Sequence, residues 1–148
     1  MIHVEVTNGA FDGPTALAPL SRLGGGAVAS FTGIARDDGG VIAIELEHYP
    51  AMTKASLDTL VNEAVARWSL LGSVLIHRVG VISVGEPIVF VGTAASHRAE
   101  ALEACAYLID RLKTTAPFWK KEHRLDGSAQ WVEAKASDDA RGNEWSSQ

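Results

Sequence analysis

Residues 96–124 read SHRAEALEACAYLIDRLKTTAPFWKKEHR, and the way this stretch folds decides how the rest of the chain can be arranged. Ser96 carries a side-chain oxygen suited to capping a first helical turn. Leu102, Cys105, Ile109 and Leu112 then recur at helical spacing, with Ala101 and Leu108 widening the apolar stripe. Pro117 ends the pattern, and a run of aromatics and bases follows: Phe118, Trp119, Lys120, Lys121, His123 and Arg124. The spacing predicts one long helix with an apolar face on a core, and a cationic segment beyond the proline.

His97 and Arg98 oppose helix electrostatics. They fall in the first turn, where the macrodipole is positive and acidic side chains are favoured. A cation there costs roughly a few tenths of a kcal/mol, unless an anion sits between it and the free backbone N–H groups. An anion site is one reading. The other is that Arg98 is solvated and His97 makes a local hydrogen bond, and these two residues alone do not choose between them.

Working outward, the 148 residues make one domain of ordinary size, with 47% hydrophobic and 21% charged residues as in a soluble globular protein. The net charge of −5 disfavours nucleic acid or an anionic membrane as a bulk partner. Within 97–124, however, six Lys/Arg face four acids, against 7 and 14 in the remainder. A locally basic segment on an acidic protein suits a small anionic ligand or an acidic tail. Cys105 is the single cysteine, which excludes an internal disulfide and a CxxC metal site. MIHVEVTNG has neither a basic nor a long apolar leader region, and no apolar run approaches the roughly 18–20 residues of a membrane span. A cytoplasmic protein is expected.

In chain order, Ile2, Val4 and Val6 alternate with polar residues as a half-buried strand. A short helix is expected over 14–23, released by Gly24-Gly25-Gly26. Residues 27–33 (AVASFTG) read as a buried strand and 41–49 as its hairpin partner, joined by the polar loop 34–40, expected to be mobile when empty. Thr53 is expected to cap a helix reaching about Leu71, with Leu57, Leu60, Val61, Ala64, Val65 and Trp68 on its buried face and Gly72 as its stop. Residues 73–82 and 87–95 read as two strands about the turn 83–86. His77 and Arg78 interrupt the first of these and are expected to face solvent or an interface. After Pro117 a final hairpin is expected, with arms 118–124 and 130–135 about Asp126-Gly127. Residues 1–135 then form one domain, and 136–148 a loose polar tail in which Trp145 is suited to docking. Hairpin-type connections among interspersed helices imply an α+β fold with a mixed, mostly antiparallel sheet.

Standard catalytic patterns are absent: there is no HExxH, no GxSxG and no GxGxxG after a strand. Cys105, on an apolar helix face, reads as a buried inert thiol. What remains is a concentration of lysines. Lys113 ends the long helix, where the dipole alone would favour it. Lys120 and Lys121 point to opposite faces of a strand, so one of them shares a side with Lys113. Two ammonium groups held close depress each other's pKa, the usual route by which lysine becomes a proton donor or acceptor near neutrality. Arg36, at the base of the 34–40 loop, reads on local grounds as solvated.

SFTGIAR (30–36), LEHYPAMT (46–53), VLIHRVGVISVGE (74–86), SHRAEALEACAYLIDRLK (96–113), APFWKKE (116–122) and WVEAK (131–135) together resemble the catalytic, large subunit of molybdopterin synthase. The likeness runs from about Val4 to Lys135 in consistent order. It implies an α/β hammerhead fold and a central homodimer. Each protomer would bind one small ubiquitin-like sulfur carrier, making a heterotetramer. The carrier's thiocarboxylated Gly-Gly tail would deliver two sulfurs to cyclic pyranopterin monophosphate, with no metal and no cofactor. By matching position, Lys113 would lie beside the carrier's terminal glycine and Lys120 would transfer protons. Arg36, His97 and Arg98 would bind the pterin phosphate, and Phe31 and Glu122 would line the pocket. Lys135 stands where the family commonly has an arginine reaching in from the other protomer, keeping charge but losing bidentate phosphate geometry. The Ser146-Ser147-Gln148 ending lacks Gly-Gly, so the chain is not expected to be the carrier.

The sulfur-transfer reading requires the cations to converge on one pocket. The alternative is a non-catalytic dimeric module that binds a phosphorylated heterocycle or an acidic peptide tail. It accounts for the basic cluster but gives no reason for paired lysines around Pro117.

Overall fold

The computed structural model describes residues 1–115, 118–132 and 143–145. Alternation in the first residues produces β1 (Ile2–Thr7), which pairs in parallel with β4 (Gly72–Arg78), Val4 opposite Leu75. On the other side of β4 runs β6 (Pro87–Ala95), antiparallel, and beyond it β2 (Ala27–Ile34), giving the order β1-β4-β6-β2. A second, antiparallel sheet has the order β5-β3-β7-β8, built from β5 (Gly80–Ser83), β3 (Val41–His48), β7 (Phe118–Arg124) and β8 (Ala129–Val132). The α+β expectation holds, with the strands divided between two sheets.

Two long helices, α2 (Pro50–Trp68) and α3 (Arg98–Thr115), cover one face of the first sheet. Leu57, Val61 and Ala64 of α2 meet Ala104, Cys105 and Leu108 of α3 over Leu75, Val89 and Val91. The opposite face is closed by α1 (Gly13–Leu17) and a 3-10 turn, Ala18–Arg22, whose Leu20 packs on Val74, Ile76, Phe90 and Ala94. Ile44, Leu46 and Ile82 of the second sheet form a third cluster with Ala35 and Val41.

Several expectations need correction. Ala101, Cys105, Leu108 and Leu112 of the predicted stripe are buried, joined by Ala104 and Tyr107, but Leu102 is 60% exposed. His97, not Ser96, stands at the cap position, since its carbonyl accepts from Ala101 N–H. Tyr49 starts α2, Thr53 lies wholly buried inside it, and Ser69 in the left-handed region (φ 50°) ends it ahead of Gly72. β2 is an edge strand rather than a buried one, and it does not form a hairpin with β3, which lies in the other sheet. The 73–82 run breaks at Gly80 (φ 81°), where the chain leaves the first sheet for the second. The turn at 83–86 therefore joins strands of different sheets. His77 and Arg78 are both buried, 7% exposed.

The 36–40 loop is tied down: Gly40 N–H donates to Asp37 Oδ1 (2.9 Å), Arg124 Nη1 to the Gly39 carbonyl (2.7 Å) and Leu125 N–H to the Gly40 carbonyl (3.1 Å). The final hairpin turns at Asp126-Gly127 as expected, with Gly127 at φ 88°. Its predicted arm over 133–135 lies outside the described residues. Trp145 does dock, edge-on to Trp68 and Tyr107 with ring centroids 5.9 and 5.6 Å away, while its Nε1 donates to Asp110 at 2.7 Å.

Candidate active site

Lys113 stands exposed in the last turn of α3, where its charge complements the helix dipole. It lies close enough to His77 of β4 for its charge to act on that ring. His77 stacks on Phe118, the first residue of β7, with ring centroids 4.0 Å apart and planes 16° from parallel. Phe118 is opposite His48 of β3, and Lys120 is opposite Leu46. Alternation along β7 puts Phe118, Lys120 and Glu122 on one face, shared with the buried Leu46 and Ile44. Lys121 lies on the other face, its Nζ 5.2 Å from the Trp131 ring centroid. Of the adjacent lysines, Lys120 is therefore the one on the Phe118 side.

Arg36 is exposed at the start of the 36–40 loop. Ala35, beside it, is buried with Ile44 and Leu46, and its N–H donates to the Glu86 carbonyl at 2.9 Å. The Glu86 carboxylate in turn accepts from Arg78 Nη1 at 2.7 Å. Phe31 is opposite Val91 on the helix-covered face of β2, yet 41% exposed because β2 is an edge. Its ring lies beside Gly33.

His97 and Arg98 are elsewhere. They are exposed at the start of α3, where the Ser96 carbonyl accepts from Gly26 N–H at 3.2 Å. Fifteen residues of helix separate Arg98 from Lys113, about 22 Å at 1.5 Å per residue. That is more than two extended side chains can bridge to a single phosphate. Within one protomer Lys113 and the His97–Arg98 pair thus stand at opposite ends of α3, with Lys120 and Glu122 on the face of β7 that begins at Phe118. Lys135 lies outside the described residues. A cavity of about 500 Å3 opens beside His48 and Lys54 and includes none of the predicted cations.

His77, expected at solvent or an interface, is instead buried under an aromatic ring. A histidine amid VLI-V-GVI was a visible signal, but its covering ring, Phe118, comes from the other sheet and has no mark in the local pattern. Burial depresses the His77 pKa to about 4, with the Lys113 charge adding to the effect. Burial likewise pushes the Cys105 thiol up to about 11, in keeping with an inert core residue.

A family profile described as MoaE protein matches residues 6–115. A molybdopterin synthase catalytic subunit from Mesorhizobium japonicum is 48% identical over 148 residues, covering 97% of this chain and 93% of that protein. The chain belongs to the family of molybdopterin synthase catalytic subunits. A Caulobacter vibrioides member is 51% identical over 121 residues, 81% of this chain and 80% of its own. Among solved structures, the molybdopterin biosynthesis MoaE protein of Burkholderia ambifaria superposes with a TM-score of 0.83 at 41% identity, covering 99% of both chains. Molybdopterin synthase from Staphylococcus aureus gives 0.79 at 26% identity, covering 87% of this chain and 96% of that one. A Helicobacter pylori structure, described as a complex of subunits 1 and 2 of molybdopterin-converting factor, shares the fold at 0.74 and 22% identity, covering 89% of this chain and 91% of that one. As a molybdopterin synthase catalytic subunit the chain is an enzyme of molybdenum cofactor biosynthesis, converting cyclic pyranopterin monophosphate to molybdopterin. Family membership sets aside the non-catalytic binding module. No helix among the described residues is long and apolar enough to cross a membrane.

Proposed function

We propose that the sulfur donor is the thiocarboxylated C-terminus of a small ubiquitin-like carrier subunit, received in the cytoplasm at the Lys113 end of α3. In each transfer the thiocarboxylate sulfur bonds to a side-chain carbon of the pterin as a carbon–oxygen bond at that carbon breaks, the oxygen staying with the phosphate as the cyclic ester opens or, once protonated, leaving as water. The acyl carbon–sulfur bond then breaks as water adds to the acyl carbon, which leaves a carboxylate on the carrier. Lys113 stabilises the negative charge on thiocarboxylate and carboxylate, and Lys120 moves the proton. Arg36, His97 and Arg98 bind the pterin phosphate, with Phe31 and Glu122 lining the pocket, and Lys135 adds a cation from the second protomer.

The observation that carries this reading is that Lys113 acts by charge on His77, whose ring stacks on Phe118, the first residue of the strand that carries Lys120. The 22 Å or so between the ends of α3 supports a homodimer in which the His97–Arg98 group of one protomer completes the lysine group of the other. A carrier on each protomer makes the assembly a heterotetramer. The test mixes the chain with thiocarboxylated carrier and pterin precursor and measures dithiolene product. Lys113→Ala is expected to lower the rate at least about 100-fold while the dimer and its carrier binding survive. A Lys113→Ala enzyme of normal rate would refute the assignment.

A further inference from the structure

On the helix-covered face of the first sheet, Val6, His77 and Val89 stand side by side across β1, β4 and β6. Leu75, two residues earlier on that face, belongs to the main core. An imidazole is costlier to bury in such a row than a leucine or phenylalanine, so its presence calls for a use. The ring is held in two ways. Its Nδ1 donates to the Arg78 carbonyl at 2.8 Å, which fixes the Nδ1–H tautomer. Its face lies against Phe118 at 4.0 Å. The groups acting on it by charge from other elements are Lys113 of α3 and His48 of β3, and burial keeps the ring neutral at physiological pH.

The stack is also a seam. His77 belongs to the first sheet and Phe118 to the second, and Phe118 is the first residue of β7. Lys120 follows it on the same face, two residues or roughly 7 Å along the strand, and Lys113 precedes it by five residues in the chain. A shift of Phe118 therefore moves Lys120 relative to the helix end that carries Lys113.

We propose that His77 is a positioning residue of the sulfur-transfer site: a neutral ring, clamped by the Arg78 carbonyl, that holds Phe118 and so sets where β7 places Lys120 against Lys113. This rests on the roles given above to the two lysines. Leucine at position 77 would relieve the burial of a polar ring but abolish the stack, whereas phenylalanine would keep the stack.

The experiment measures single-turnover dithiolene formation at saturating carrier and pterin, the pterin concentration giving half the maximal rate, and the thermal midpoint. It uses full-length wild type, His77→Leu, His77→Phe and Lys113→Ala. For His77→Leu the expected result is a rate lower by about 10- to 100-fold, a half-saturating concentration within about twofold of wild type, and a midpoint equal or higher. His77→Phe is expected to recover to within about threefold of wild type. A merely structural histidine predicts a normal rate in His77→Leu, and that result, with Lys113→Ala inactive, overturns the proposal alone. A fully active Lys113→Ala removes the lysine assignment, and this proposal with it. Should His77→Leu fail to fold, Phe118→Leu breaks the same stack from the other side. A normal rate in that variant overturns the proposal, and the same selective rate loss supports it.

Discussion

If the active site is shared between protomers, two dead variants should revive each other. Arg98 and Lys113 sit at the first and sixteenth positions of α3, whose 18 residues run from Arg98 to Thr115, and about 22 Å of helix lies between them. Consider a dimer of one Arg98→Ala protomer and one Lys113→Ala protomer, isolated by a different affinity tag on each. One shared site then combines the intact Lys113 of the first protomer with the intact Arg98 of the second. The other site combines both alanines. One working site out of two predicts about half the wild-type rate per dimer, and random reassortment of untagged chains about a quarter. If each protomer held a complete site of its own, every site in the mixed dimer would lack one cation, and activity would stay at the level of the single variants. The assay is dithiolene formation with saturating carrier, each homodimeric variant serving as its own baseline. A tag-purified mixed dimer no more active than those baselines would refute the shared site.

Two further outcomes follow from the burial of His77 and the docking of Trp145. His77 has its pKa lowered from 6.5 to about 4, so between those values the unfolded chain binds a proton that the native chain refuses. Stability is then fully present above pH 6.5 and declines as the pH falls toward 4, by on the order of 3 kcal/mol; denaturant titrations of wild type should show this slope and His77→Leu should flatten it. Trp145→Ala removes two edge-on ring contacts and the hydrogen bond to Asp110, worth together about 2 kcal/mol. The thermal midpoint should fall by about 6 °C, and an unchanged midpoint would mean that the indole contributes nothing to stability.

Elements with strong local periodicity were legible before any coordinates. β1, α2, α3 and the β7–β8 turn lie where alternation, helical spacing and Asp126-Gly127 put them. What failed was pairing. The apolar run AVASFTG looks the same whether its strand is central or at an edge, and β2 is at an edge because, among the described residues, it pairs with β6 alone. The turn chemistry at 83–86 correctly announced a reversal, but Gly80 had already carried the chain into the second sheet. Turn residues report local geometry and say nothing of which sheet each arm joins. The same limit applies to the site. That Lys120 and not Lys121 lies on the Phe118 face depends on strand register, and strand alternation could say only that the two lysines differ. The separation of Arg98 from Lys113, by contrast, was available from helix length alone.

The chemistry of Cys105 also supports the proposal that the sulfur comes from outside the chain. Cys105 is the only cysteine, and it faces the core from α3 at 7% exposure. With its pKa pushed up to about 11 by burial, only about one molecule in 10,000 carries the thiolate at pH 7. The nucleophilic form is thus both scarce and covered, so a persulfide route through this chain would require α3 to leave the sheet. An enzyme without an accessible thiol can still move sulfur if the sulfur arrives already activated on another molecule. Its own task is then electrostatic: to hold an acyl anion and a phosphate ester near each other. Exposed cations at the two ends of a stiff helix meet that requirement once a second protomer brings opposite ends together. On the proposed reading, the shared site and the external donor are two consequences of one arrangement, a helix whose core face is inert and whose charged ends would do the chemistry.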